Sequence, residues 1–238
     1  MQVIDLPASA GVAWIKLSFA MFRARPTGWI SLVSAWLMAT LGLLFVPVVG
    51  VAIMTILQPG FFAGFVLAAR NQEAGQPVGV HQLLAAFRVN GRALVTVGSI
   101  TLLADIMVMV ILALLGFPRT IPADANGLPD VQAYLNLLVG NEWVLMLGFV
   151  LVLVIKGTMW FTAAILALNQ MPATHAIRWS CYALIANFLP MLVFGALMMV
   201  LMFFATITWF IGMIVWIPLF AIAHYVSYRD LFRSPPEA

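Results

Sequence analysis

Residues 94–115 read LVTVGSITLLADIMVMVILALL, an unbroken apolar run with a single charge, Asp105, at its middle. A helix needs about 20 such residues, at ~1.5 Å rise each, to cross the hydrocarbon of a bilayer, so this stretch predicts a membrane span. Residues 143–168, WVLMLGFVLVLVIKGTMWFTAAILAL, repeat the pattern with Lys156 as their one charge. A charge within hydrocarbon costs ~2.5–3.5 kcal/mol even on the lenient insertion scale, so each is expected to face a partner, a cavity or a pathway.

Outward from these two runs, the whole chain is of the same kind. Of its 238 residues, 64% are hydrophobic and only 8% charged, against roughly 25% charged in soluble domains. The expectation is an all-α polytopic membrane protein, one membrane domain over residues 1–238. Spans are predicted at Trp29–Val46, Gly50–Ala69, Leu94–Leu115, Trp143–Leu168, Phe188–Phe204 and Trp209–Val226. The first apolar run starts only near Trp29 and lacks the layout of a cleavable signal peptide, so the N-terminus reads as retained. The net charge of +3 comes from basic residues beside apolar spans, which points to membrane lipids and not to nucleic acid. A lone cysteine, Cys181, excludes an intramolecular disulfide and any CxxC pair.

Six spans place both termini on one side, and charge chooses it. Lys16, Arg23, Arg25, Arg70, Arg88, Arg92, Arg178, Arg229 and Arg233 fall on the termini's face, and only Arg119 opposite. By the positive-inside rule both termini are expected to be cytoplasmic. The opposite face carries one long loop, residues 116–141, with Asp124 and Asp130 in it, Glu142 at its end and a short helix expected at Val131–Val139.

A stretch of amphipathic character precedes each odd-numbered span. Ser9–Arg23 opens on an N-cap serine and spaces Val12, Ile15, Phe19 and Phe22 helically. Val80–Arg88 offers Leu83, Leu84 and Phe87, and Pro172–Asn187 offers Ile177, Trp179, Tyr182 and Leu184. All three read as interfacial helices, lying on the bilayer or recruiting a partner. Trp29, Trp143 and Trp209, at span starts, read as interface anchors.

The recurrence predicts three degenerate units of interfacial helix plus hairpin, residues 9–71, 80–169 and 172–230, against the alternative of chance likeness among apolar helices. Pro59–Arg70 and Pro218–Arg229 align without gaps, matching Phe61 to Phe220 and Asn71 to Asp230. The fourth span has Gly157 at the proline position. Pro59 and Pro218 are expected to kink their spans. Gly60 and Gly64 share one helix face and predict close helix packing within the monomer.

Asp105 lies ~16 Å, and Lys156 ~18 Å, from the cytoplasmic ends of their spans at helical rise. The matched depths predict a buried intramembrane ion pair within the middle hairpin. Three roles stay open: a register-fixing staple, a polar, proton-coupled site joined by Gln58, Thr55, Thr101 or Thr158, or a snorkelling lysine with the aspartate facing a water pocket. No catalytic constellation is present. The chain has no HExxH, no Walker loop and no paired acids in a span, and His81, His175 and Cys181 lack metal spacing. His224, near the end of the sixth span, reads as an interfacial histidine. No metal, cofactor or enzymatic activity is expected.

Phe19-Ala20-Met21-Phe22-Arg23-Ala24-Arg25-Pro26 leading into a span, the proline-bearing second span and Ala86-Phe87-Arg88-Val89-Asn90 resemble a group of uncharacterised proteobacterial inner-membrane proteins with six spans. That resemblance implies the layout and carries no established activity. The functional expectation is a non-catalytic accessory, scaffold or assembly component contacting lipid or another membrane complex. The alternative is a small-solute transporter or lipid-handling protein using the Asp105 and Lys156 pair.

Overall fold

In the computed structural model, which describes residues 1–117, 130–209 and 211–233, helices dominate. In chain order they are α1 (Ala10–Ala24), α2 (Pro26–Leu44), α3 (Val49–Glu73), a 3-10 helix at Val80–Leu84, α4 (Ala85–Leu114), α5 (Val131–Leu138), α6 (Glu142–Thr158), α7 (Thr162–Asn169), α8 (Ala173–Ala186), α9 (Phe188–Ile207) and α10 (Met213–Leu231). Two-residue strands β1 (Gln2–Val3) and β2 (Phe232–Arg233) pair antiparallel. Arg119 and Asp124 of the expected outer loop lie outside the described residues.

Among the described residues, five segments are long and apolar enough to cross a membrane: Pro26–Leu44, Val49–Glu73, Val80–Leu114, Glu142–Asn169 and Phe188–Ile207. The sixth expected span, α10, ends in His224, Tyr225, Ser227, Tyr228, Arg229 and Asp230, which dilute its apolar character.

The chain forms two compact units, one of Met1–Ser99 with the residues from Thr158 onward, the other of Ile100–Gly157. The first unit holds the hydrophobic core, built on Trp14, Trp29, Phe65, Phe161 and Ile222. Its middle is α10, buried at Leu219, at Ala221–Tyr228 and at Leu231, and packed against α1, α2, α3, α7 and α9. In the second unit the C-terminal half of α4 runs beside α6, with Val108 and Val144 buried.

Small residues set how close the elements of the first unit come. A side chain at Gly11 on α1 would meet the Pro190 carbonyl at 2.5 Å and the Phe194 nitrogen at 2.8 Å, so α1 lies directly on α9. Its inward stripe is Gly11, Trp14, Ser18 and Phe22; Val12 and Phe19, expected on the apolar face, are exposed. Periodicity alone missed this because the seam uses a glycine and a serine, which carry no hydrophobic signal. Ser9 makes no side-chain cap bond. The second stretch also departs from a surface helix. Gln82 and Leu83 are buried, and a side chain at Gly64 would sit 2.6 Å from the Leu83 carbonyl. Gly60 likewise faces the Phe87 ring. The two glycines of α3 thus accept the 3-10 turn and the Phe87 ring at the start of α4. Trp29 is buried too and donates to Gln72 Oε1 at 2.7 Å, whereas Trp143 and Trp209 are exposed. Trp29 is therefore a core residue and no interface anchor.

Helices α3 and α10 continue through Pro59 and Pro218 as single elements. The interruptions fall elsewhere, at Asn90 inside α4 and between α6 and α7. At the second break Phe161, the N-cap of α7, donates its backbone N–H to the buried Ser180 hydroxyl at 2.9 Å. Helix α8, which packs through Ala173, Ala176, Ser180 and Ala183, thereby supplies the acceptor that a helix break inside an apolar segment needs.

Three junctions share one backbone conformation. Arg25 (φ −143°, ψ 59°) precedes α2, Asn90 (φ −149°, ψ 47°) bends α4, and Asn187 (φ −117°, ψ 37°) precedes α9. Each side chain also grips a distant backbone carbonyl. Arg25 donates to Gly75 at 3.0 Å, Asn90 to Leu166 and Met171 at 3.3 and 3.2 Å, and Asn187 to Ile4 at 2.9 Å.

Candidate intramembrane charge site

The second unit is organised by a helical seam. A side chain at Gly148 of α6 would meet Leu112 Cδ1 of α4 at 2.8 Å, so glycine allows the two helices to approach there. At the mouth of the hairpin Asp130 caps α5, its carboxylate accepting the Ala133 N–H at 2.9 Å, and Glu142 sits in the first turn of α6, where the helix dipole favours an acid.

Further along the seam Lys156 Nζ donates to both carboxylate oxygens of Asp105, at 2.8 and 2.7 Å. The geometry is a two-point, charge-assisted contact between single charges on two apolar helices. The pair is not enclosed, however. The side chains keep 43% (Lys156) and 30% (Asp105) of their surface open. The expectation of a buried pair is corrected to that extent.

The other candidate residues divide. Thr101, one turn before Asp105, is buried in the same unit. Thr158 ends α6 two residues after Lys156 and belongs to the first unit, as do Thr55 and Gln58. The Thr55 hydroxyl donates to the Val51 carbonyl of its own helix at 3.0 Å, and Gln58 is exposed.

Two polar features escaped sequence reasoning. His224 is a core residue and no interfacial one. Its ring stacks on Trp160 with centroids 3.8 Å apart, lies 5.0 Å from Phe62, and contacts the Phe220 carbonyl through Nδ1 at 3.1 Å. The ends of α3 and α10 also form a charged knot, in which Glu73 accepts from both Tyr225 and Arg229 while Asp230 accepts from Arg229 and from the Trp14 indole at 3.1 Å. The matched positions Arg70–Asn71 and Arg229–Asp230 pointed at this end of both helices, but not at their partners. Among the described residues, no three His, Cys, Asp or Glu gather where they could hold a metal ion.

Apolar helices of spanning length, two of them joined by a charge pair, define a helical membrane protein. Comparison with known proteins agrees. A probable inner membrane protein of Burkholderia thailandensis is 34% identical over 91 residues, which is 38% of this chain and 34% of that protein. The match thus spans about a third of the relative's length. It accords with the likeness, read from residues 19–26 and 86–90, to uncharacterised proteobacterial inner-membrane proteins. No protein-family profile matches the chain, and no solved structure does.

Proposed function

We propose that this chain is a non-catalytic scaffold or assembly component of the bacterial inner membrane, with six spans and both termini cytoplasmic, working through lateral contacts with lipid and with another membrane complex. The observation that carries this reading is the way α1 and α8 are fixed. Both pack inward through small residues, joined on α1 by Trp14 and Phe22, and leave their basic residues and remaining aromatic residues outward. Helix α1 exposes Lys16, Phe19 and Arg23, with the Arg23 guanidinium 5.8 Å above the Phe19 ring. On α8, His175, Arg178, Trp179 and Tyr182 line an open cleft of about 450 Å³. Rigid amphipathic helices of this kind suit contact at the interface between headgroups and protein.

The three-unit organisation belongs to the same reading. Arg25, Asn90 and Asn187 occupy equivalent places before the first, third and fifth spans and share both a backbone conformation and a carbonyl grip. The break after α6 falls close to Gly157, which takes the position of Pro59 and Pro218 in the repeat register. The last unit would close on the first through β1 and β2, since Asn187 holds the segment that begins at β1.

Transport is the weaker reading, because Thr55 is committed to its own helix and the ion pair faces outward from its unit. Native mass spectrometry of the protein, extracted with surrounding lipid from its own membrane at natural abundance, tests the choice. A stoichiometric second protein is expected. A chain free of other proteins that retains a bound solute would overturn the scaffold reading.

A further inference from the structure

We propose that the Asp105 and Lys156 face of the second unit docks on the same face of a second copy of this chain, about a two-fold axis along the membrane normal. The inference stands apart from the scaffold reading and rests on the geometry of the pair. Asp105 lies nine residues before the end of α4 at Leu114, or ~14 Å at helical rise, which places it well inside a ~30 Å hydrocarbon layer. An ammonium group has three donors and a carboxylate about four acceptor sites; the two contacts between these side chains leave capacity on both. That capacity is open to the surface at the 43% and 30% that the hairpin leaves uncovered. Water is absent at this depth, so a polar surface there needs a polar complement.

The best complement to an ion pair is another turned through 180°. A two-fold axis sets Lys156 against the partner's Asp105 and Asp105 against the partner's Lys156, giving four alternating charges with no net charge. Isologous contacts of this type are the commonest route to a closed dimer. The surroundings fit. Met109 lies one turn outward of Asp105 and Val152 one turn outward of Lys156, both exposed and apolar, and Phe149 continues the same side of α6. Flexible and branched apolar side chains would pack around the charges while the polar contacts fix the register.

The test uses cysteine crosslinking of the full chain in its native membrane, in a Cys181→Ser background. Val152→Cys should give a disulfide-linked dimer at least about tenfold more abundant than Met38→Cys, which is 74% exposed on α2. The neutral variant Asp105→Asn with Lys156→Gln should lose most of that product. A charge exchange then separates contact between copies from pairing within one. The Asp105→Lys chain and the Lys156→Asp chain, each carrying Val152→Cys, should crosslink poorly alone and well when produced together. Equal crosslinking at Val152→Cys and Met38→Cys, an undiminished neutral variant, or no gain on co-production would each overturn the proposal.

Discussion

Asp105→Ala alone will destabilise the protein more than Asp105→Ala combined with Lys156→Met. The single change strands an ammonium group between apolar helices, where a charge is worth ~2.5–3.5 kcal/mol on the insertion scale. The double change removes both charges and replaces the lysine stem with an apolar side chain of similar length, and exchanges of this sort at paired sites are often close to neutral. The coupling energy between the positions, read from unfolding of both single variants and the double variant in bicelles, should therefore be strongly favourable. Equal losses in the Asp105→Ala and double variants would mean that the 2.7 Å contact does not hold in the membrane.

Gly64→Val carries the second large effect. The new side chain would enter a space bounded by the Leu83 and Gln82 carbonyls, 2.6 and 2.8 Å from its first carbon. Those are backbone atoms of a 3-10 turn and cannot rotate away as a flexible side chain would. Overpacking typically costs 1–3 kcal/mol, and a clash with main chain belongs at the upper end, about 3 kcal/mol. Gly195 on α9 has no neighbour within 4 Å of the same position, so Gly195→Ala is the matched control and should be near neutral or slightly stabilising. Thermal unfolding of both variants in nanodiscs checks the contrast; similar transition temperatures would show that the 3-10 turn is not seated on α3.

These residues also mark what could be read from sequence. The apolar runs marked where the long helices lie, since hydrocarbon thickness constrains their length, but not that α4 begins at Ala85 or that α6 ends at Thr158, and the equal depths of Asp105 and Lys156 pointed to the contact between them. The seams were harder to foresee. Gly11, Ser18, Ala176 and Ser180 bury faces through closeness of backbone and not through hydrophobicity, so a pattern that weights large apolar side chains selected Val12 and Phe19 instead. The role of Ser180 depends on a helix break at Phe161, and the break can be recognised only once the acceptor is in place. Trp29 and His224 look like interface residues because polar ring nitrogens near span ends commonly sit there; Gln72 and Trp160, from distant parts of the chain, make their burial acceptable. The openness of the charge pair depended on the angle of Lys156 around α6, which depth does not specify.

The organisation as hairpins entering from the cytoplasm is tested most directly by labelling single cysteines in intact cells with a membrane-impermeant maleimide, again in the Cys181→Ser background. Val139, before α6, and Ala74, after α3, are both exposed. The account predicts that Val139→Cys reacts in cells whose outer membrane has been permeabilised, and that Ala74→Cys reacts only after the inner membrane is broken. Labelling of Ala74→Cys with the inner membrane intact, or protection of Val139→Cys, would contradict it.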